Sequence, residues 1–241
     1  MNYKKSTIDI LRDLIAAMDF TIEITAITTT TIVLDGRTVT VKRLTVCDVM
    51  HAEPGRDITL SEGTYTLRRI DATNRYFYII TTDTLALQSF ELYPPVFYHG
   101  TPIATGIELN QEQTAADKTP MIWFAEIATD EYFDQDSSLD RFIRGELFFL
   151  TQNDPEKWLT DESYLNAVDP MRRLAEHFLA DVQASNVFYT DEFKYNLIAY
   201  PKFGVYIREK GVLVEKFADK LAGVQLPSCL TVINTYDCPV C

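Results

Sequence analysis

The sequence predicts an α+β fold, in which an antiparallel sheet is flanked by helices and joined to an additional small, all-β, barrel-like module. Apolar residues recur at helical spacing over residues 6–18 and 164–182. Residues 21–82 instead alternate with a period of two and are rich in Thr, Ile, Val and Tyr. Two nearly continuous apolar runs, 121–128 and 142–151, indicate central strands covered on both faces.

Composition limits the functional class. The chain has 241 residues, 46% of them hydrophobic, which is enough for a substantial core. It carries 22 basic and 35 acidic residues, a net charge of −13. Sequence-specific nucleic-acid binders and proteins of anionic membranes need a positive surface, so this surplus argues against both. The sequence has no bilayer-spanning apolar run and no signal-peptide pattern, so we expect a protein made in a cytoplasm.

The N-terminal half contains three predicted regions. Residues 1–20 supply a helix of the core, capped by Ser6. Residues 21–84 form the β-rich module, with a hairpin turn at Asp35-Gly36 and five short strands that suggest a barrel or sandwich. Residues 85–119 lose periodicity and are predicted to be an extended linker or arm that contacts a neighbour.

Residues 120–241 are predicted to form the α+β core, in which the two apolar strands pair in antiparallel fashion. A helix starts near Thr160 and meets Asp169-Pro170. Either the helix kinks there, or it ends and Asp169 caps a second helix that begins at Pro170.

The C-terminal part of this core has weaker signals. A hairpin is predicted about Lys210-Gly211, followed by a short helix from Glu215 to Ala222 that ends at Gly223 as its C-cap. A last strand is predicted from Cys229 to Tyr236.

The loop between the two central strands is strongly acidic. Its five carboxylates are those of Asp130, Glu131, Asp134, Asp136 and Asp140. An EF-hand counted from Asp134 would place Leu139 where glycine is needed and Gly145 where a bidentate Glu is needed, so that interpretation fails. The five residues are predicted to be solvated or to contact a basic partner, and they are our candidate subunit contacts.

The cysteines are weak candidates for a metal site. Cys238 and Cys241 have CxxC spacing, but no helix follows to lower a thiol pKa, which argues against redox chemistry. Structural zinc would need more ligands, and Cys229 is the nearest in sequence, while Cys47 is distant. Free thiols are favoured, and no cofactor is predicted. The nine glycines include no adjacent pair, so a phosphate-binding loop is not predicted either.

No residue pattern indicates catalysis. His51, His99 and His177 lack the spacing of a metal site. Glu126 and Glu146, one on each central strand, could approach each other as the acids of a glycosidase do. Ion pairs or contacts with a neighbour are the favoured interpretation of these two carboxylates, and we expect a protein that is not an enzyme.

Five segments together resemble the neck and tail-completion (tail terminator-like) proteins of tailed bacteriophages, especially of phages from Bacteroides-type hosts. The resemblance covers about residues 100–241 and the first helix. The segments are Thr119–Trp123, Glu146–Leu150, Tyr164–Asp181, Lys220–Leu226 and Cys229–Val232.

This resemblance implies a structural virion protein, assembled in the host cytoplasm, without catalysis. Its protomers would form a ring of six or twelve copies that completes the tail, or joins it to the head-side connector, and lets DNA pass. Its partners would be other copies of itself and the adjacent neck, connector or tail-tube proteins. The β-rich module departs from the smallest members of this family and would be an insertion.

Two alternatives remain open at the level of sequence. A subunit of a related contractile injection assembly would have the same fold and composition. A small enzyme with a carboxylate site at Glu126 and Glu146 would require a pocket that holds both groups.

Overall fold

A computed structural model describes residues 6–34, 36–101, 105, 118–132, 141–153, 160–185, 187–189, 195–208, 212–215 and 220–232. The elements, in chain order, are α1 (Thr7–Ala17), β1 (Thr21–Leu34), β2 (Arg37–Val46), β3 (Asp57–Leu60), β4 (Gly63–Asp71), β5 (Tyr76–Ile79), β6 (Ser89–Glu91), β7 (Val96–Gly100), β8 (Met121–Tyr132), β9 (Arg141–Gln152), α2 (Thr160–Ser163), a π-helical turn (Tyr164–Val168), α3 (Asp169–Ala184), β10 (Phe188–Tyr189), β11 (Ile198–Phe203), β12 (Val205–Arg208), β13 (Val212–Glu215) and β14 (Leu221–Val232).

The first helix is confirmed. The Ser6 hydroxyl accepts a hydrogen bond from the Asp9 amide at 3.2 Å, which satisfies one of the free N–H groups of the first turn. Leu11 and Ile15, four residues apart on one face, are buried in the core.

The β-rich module is a six-stranded, nearly closed barrel. Its strand order is β3-β4-β5-β2-β1-β6, all of the pairs are antiparallel, and β3 contacts β6 where the sheet closes. Glu62 bridges the closure by accepting hydrogen bonds from the Ala86 amide and the Gln88 side chain, both at 2.7 Å. The five predicted strands are confirmed. The sixth, β6, lies in the region expected to be an extended connection.

The second sheet has the order β10-β14-β9-β8-β7, and β11 also pairs with β14. The predicted antiparallel pairing of β8 and β9 is confirmed. The sheet is not wholly antiparallel, because β7 runs parallel to β8. Residues 101–120 separate these two strands, which is long enough for the crossover that a parallel pair requires.

The chain stays helical through Asp169-Pro170. Asp169 has helical dihedrals, and its amide donates to the Tyr164 carbonyl five residues earlier, so the turn before the proline is a π-helix. Pro170 cannot donate a backbone hydrogen bond, and the wider turn accommodates that loss. Asp169 therefore does not cap a second helix, and its carboxylate instead accepts from Arg172 at 2.7 Å.

The C-terminal prediction is wrong in one element. The hairpin of β12 and β13 is confirmed. The predicted helix ends in strand residues, however, because β13 runs to Glu215 and β14 starts at Leu221. Gly223 lies inside β14, opposite Leu150 of β9, and is not a helix C-cap. Pairing with β9 over twelve residues holds the end of the predicted helix, Leu221 to Gly223, in a strand. Residues 216–219 of that prediction lie outside the described residues.

One hydrophobic core joins the barrel to the second sheet. It includes Ile22 and Phe77 of the barrel as well as Phe149 of β9 and Phe178 of α3. The ring centroids of Phe149 and Phe178 lie 5.6 Å apart. A second cluster covers the other face of the sheet, where Trp123 stacks on Phe148 at 4.9 Å. The central strands are therefore covered on both faces, as their sequence predicted.

Candidate assembly surfaces

The hairpin of β1 and β2 extends beyond the barrel. β5 pairs with β2 only from Lys42 to Thr45, and β6 pairs with β1 only from Thr21 to Glu23. The tip of the hairpin, residues 30–34 and 37–41, has no further strand beside it among the described residues. We call this tip the β-arm. Its five residue pairs extend about 17 Å, at roughly 3.4 Å per residue.

A groove of about 550 Å³ lies between the β-arm and the neighbouring barrel strands. Its apolar wall consists of Leu34, Val39, Leu67 and Ile80, and Ile80 is 47% exposed. The arm groove, as we call it, is also lined by Gly55, Arg37 and Arg68. Both arginines are exposed, and neither forms an ion pair with a residue that the structure describes. The groove therefore combines apolar surface with two accessible guanidinium groups.

The outer end of the β8–β9 hairpin also has an open edge. β7 pairs with β8 only from Met121 to Ala125, so residues 126–132 have no partner on that side within the described chain. Asp130 and Glu131, expected in a loop, belong to the strand, where their backbones pair with Ile143 and Phe142. The strand continues because residues 129–132 find partners across the hairpin, after a register shift between Ala125 and Thr129. The other three candidate contacts, Asp134, Asp136 and Asp140, lie outside the described residues.

A second open pocket, of about 490 Å³, lies where α3 meets the barrel. Arg173 of α3 donates to the Asp48 carboxylate at 2.7 Å and to the Ala72 carbonyl at 3.4 Å, and so ties the helix to the barrel. Arg172 is paired with Asp169 within the helix. Because both arginines in this pocket have acidic partners, it offers less free positive charge than the arm groove.

A partly buried polar cluster surrounds Glu53 and Tyr93, next to the fully buried His51. The Glu53 amide donates a hydrogen bond to Tyr93 Oη at 3.0 Å, and the Glu53 carboxylate contacts the Arg56 guanidinium at 3.4 Å. Burial raises the pKa of Glu53 to about 7, and the guanidinium of Arg56 opposes that shift. Burial likewise lowers the pKa of His51 to about 4, so its Nε2 donates to the Tyr93 carbonyl as a neutral ring, at 2.7 Å.

The three histidines do not form a metal site. His51 and His177 pack against Phe20, with ring centroids 4.9 and 6.0 Å away. His99 lies in β7. No group of three or more His, Cys, Asp or Glu side chains in the described part of the chain is arranged to hold a metal ion.

The cysteines are placed only in part. The backbone of Cys229 lies in β14, opposite Arg144 of β9. Cys238 and Cys241 lie outside the described residues. Cys47 is an exposed free thiol whose sulfur accepts a hydrogen bond from the Glu23 amide at 3.4 Å. The zinc interpretation stays a weak prediction.

The two carboxylates of the enzyme alternative are not opposite each other. Glu146 is opposite Ala125, and the register of the two strands shifts between Ala125 and Thr129, where Glu126 lies. Glu146 lines neither the arm groove nor the pocket beside α3.

Sequence reasoning singled out the acidic residues 130–140, as a loop, but missed the arm groove. The only signal for it was local. Three cations and no carboxylate fall within residues 36–46 of an otherwise acidic chain, namely Arg37, Lys42 and Arg43. Arg68 and Ile80 join the groove through the fold, because β5 pairs with β2 and β4 pairs with β5.

Comparisons with protein families, with curated proteins and with solved structures found no match to this chain. Among the helices of the described residues, none has the length and apolar character needed to cross a membrane.

Proposed function

We propose that this chain is a structural subunit of the neck or tail of a tailed bacteriophage. Copies of the chain form a ring that completes the tail, or connects it to the head-side connector, and through which DNA passes. The observation that carries the proposal is the open strand edge on each of two β-hairpins: both edges of the β-arm, and the edge of β8 over residues 126–132. Open strand edges are surfaces for pairing with another chain, and natural proteins cover them when no partner exists.

The charge of the chain is compatible with this role. A channel that DNA must cross without sticking needs few phosphate contacts, which Lys and Arg would provide. The net charge of −13 meets this requirement. The open strand edges support assembly with other chains. The sequence resemblance to neck and tail-completion proteins supports the phage particle and the ring as the form of that assembly.

The test is the assembly state of the purified protein. Native mass spectrometry should show a closed oligomer of six or twelve subunits, and electron-microscope class averages of the same sample should show a ring with a central channel. A strict monomer at every concentration, with no ring in the images, would contradict the proposal.

A subunit of a contractile injection assembly would give the same ring. The two particles are distinguished by what the ring binds: purified ring should co-sediment with phage tail tubes or connectors and protect them from disassembly. Binding to an injection sheath or baseplate in their place would move the chain to that assembly.

A further inference from the structure

We propose that the outer face of the barrel, where β5 lies between β2 and β4, binds single-stranded DNA without reading its sequence. We call this surface the arginine face, and it is defined by Arg37 and Arg43 of β2, Arg68 and Arg69 of β4, and Tyr76 and Tyr78 of β5. The inference goes beyond the proposed ring and does not depend on it, because the face belongs to a single protomer.

The alternation of the strands places these side chains outside the barrel. Leu44 and Phe77 belong to the buried core, and successive residues of a strand point to opposite faces. Arg43 is opposite Tyr78 in the pairing of β2 with β5, and Tyr78 is opposite Arg69 in the pairing of β5 with β4. The backbones of β2 and β4 lie about 10 Å apart, with β5 between them. The face therefore has a central lane of tyrosines with arginines on both sides.

The tyrosine rings hold the arginines in place. The guanidinium carbon of Arg43 lies 4.5 Å from the centroid of the Tyr76 ring, and that of Arg69 lies 5.9 Å from the centroid of the Tyr78 ring. Arg43 Nε also donates to Thr28 Oγ1 of β1 at 3.1 Å. A guanidinium that lies over a ring still offers N–H groups at its edge to an oxyanion, and less of its freedom is lost on binding.

The arginine face is positive although the chain as a whole is acidic. None of its four arginines forms an ion pair with a residue that the structure describes. The stretches that build the face contain no Asp or Glu, namely residues 24–34, 36–47, 63–70 and 76–80.

Carboxylates occur only at the border of this face among the described residues of β3 to β5. Asp57 accepts a hydrogen bond from Thr66 at 2.6 Å, and Asp71 accepts one from the Asn74 amide at 2.9 Å. Asp35, in the turn of the β-arm, lies outside the described residues. Because clustered arginines without acidic partners attract a negatively charged polymer, the ligand that complements the face is a polyanion.

The apolar part of the surface favours a single strand of DNA. Arg37 and Arg68 line the arm groove beside a wall that includes Val39 and Ile80. The bases of a single strand are free to enter this groove or to lie on the partly exposed Tyr76 ring while the phosphates contact arginines, whereas the bases of a duplex are stacked inside it. The apolar wall offers no partner to a ribose 2′-hydroxyl, so deoxyribose fits better than ribose.

The experiment measures the binding of a fluorescent oligothymidylate of about 15 nucleotides, which covers the usual site size of a single-strand-binding surface. Anisotropy follows the binding over a range of salt concentrations. One variant removes the arginines beside the tyrosines (Arg43→Gln with Arg69→Gln), and a second removes those of the groove (Arg37→Gln with Arg68→Gln). Circular dichroism checks that each variant is folded.

Each variant of the face should bind at least tenfold more weakly than the parent. The slope of log affinity against log salt should also fall by about 1.4, because two phosphate contacts with a single strand are lost. The matched control, Arg12→Gln with Arg172→Gln, removes two arginines that have acidic partners elsewhere, and it should bind as the parent does. Parent-like affinity and slope in either variant of the face, or an equal loss in the control, would overturn the inference.

The class of ligand is tested with the parent protein. A DNA duplex of the same length and an oligouridylate RNA should each bind at least tenfold more weakly than the single-stranded DNA. Polyglutamate at equal charge concentration should not displace the DNA. A duplex or an RNA that binds as tightly, or displacement by polyglutamate, would overturn the inference in favour of another polyanion.

Photocrosslinking locates the site without any substitution. A single strand that carries iodinated deoxyuridine, irradiated in complex with the parent, should crosslink to Tyr76, and mass spectrometry of the digested protein identifies the crosslinked peptide. Crosslinks confined to other parts of the chain, or no binding of DNA at all, would overturn the inference and leave the proposed ring intact.

Discussion

Gly223 occupies a position in β14 where no side chain fits. A Cβ built there would lie 1.9 Å from the Phe149 carbonyl oxygen of the paired strand, and its φ is +156°. The close approach brings β14 onto β9 in the middle of their pairing. Gly223, predicted to end a helix, is therefore a point of close contact between two strands. Either role depends on the missing Cβ of glycine.

We expect Gly223→Ala to lower the free energy of unfolding by at least about 2 kcal/mol, because backbone atoms must move to relieve the clash. Urea unfolding followed by circular dichroism measures this change. Gly55→Ala is the control. It also has a positive φ, of +90°, but no heavy atom lies within 4 Å of the added Cβ. The control substitution should lower the free energy of unfolding by about 1 kcal/mol. An equal effect of both substitutions would contradict the clash as the cause.

Glu53 should make stability depend on pH. Its pKa rises from an ordinary 4.5 to about 7 in the folded protein because the carboxyl is buried. The folded state thus holds a proton that the unfolded chain releases. The contribution of the protonated Glu53 carboxyl to the free energy of unfolding is fully present below pH 4.5 and is lost as pH rises through 7.

We expect Glu53→Gln to remove this dependence. Between pH 4 and pH 8 the parent should lose on the order of 3 kcal/mol of unfolding free energy relative to the variant. Urea unfolding at several pH values measures it. His51 has the opposite effect, because its contribution to stability is lost as pH falls from 6.5 through 4. This contribution is the same in the variant and the parent, so it cancels in their difference. The exposed Glu91→Gln serves as control, and a pH-independent difference for Glu53→Gln would contradict the expectation.

At the scale of elements, an ion pair between residues 125 positions apart in sequence joins α3 to the barrel. Arg173 contacts Asp48 at 2.7 Å, with side chains 31% and 40% exposed. The periodicity of the helix predicted its buried face, including Leu174 and Phe178, from sequence alone. It did not predict which charged residues of the exposed face meet another element, because that depends on how the barrel packs.

We expect a double-mutant cycle of Asp48→Asn and Arg173→Gln to give a coupling energy of about 0.5 to 1 kcal/mol, since the pair is partly exposed. The coupling should shrink in 1 M salt. Thermal or urea unfolding of the four proteins measures it. The comparison pair is Asp169 with Arg172, which are three residues apart in α3. A coupling of zero between Asp48 and Arg173 would show that this contact does not hold the helix to the barrel.

At the scale of the whole molecule, the barrel and the second sheet share one core cluster. The sequence divides the chain into regions at 84 and 119, and that division stays a prediction. Side chains on either side of it, such as Ile22 of the barrel and Phe178 of α3, belong to the same buried cluster. Residues that share one buried cluster lose its contacts together, so we expect the two parts to unfold as one cooperative unit.

We expect Leu44→Ala, a substitution in the barrel, to lower the stability reported by a probe in the other sheet. Leu44 is fully buried, and truncation of such a side chain costs about 2 to 5 kcal/mol. Tryptophan fluorescence, to which the buried Trp123 of β8 contributes, should shift to lower urea together with the circular dichroism signal. A fluorescence transition that stays where it is in the parent would show that the two parts unfold independently.

The sequence by itself determined the elements whose signals are local. The cap at Ser6, the period of two through the barrel strands and the apolar runs of β8 and β9 depend on neighbours along the chain, and these predictions are confirmed. Only the tertiary structure decided the parallel pairing of β7, the role of Gly223 and the arm groove. Each of these joins residues far apart in sequence, such as Arg37 and Arg68, whose proximity depends on strand order. Strand order is set by the packing of the whole core, and no short stretch of sequence determines that packing by itself.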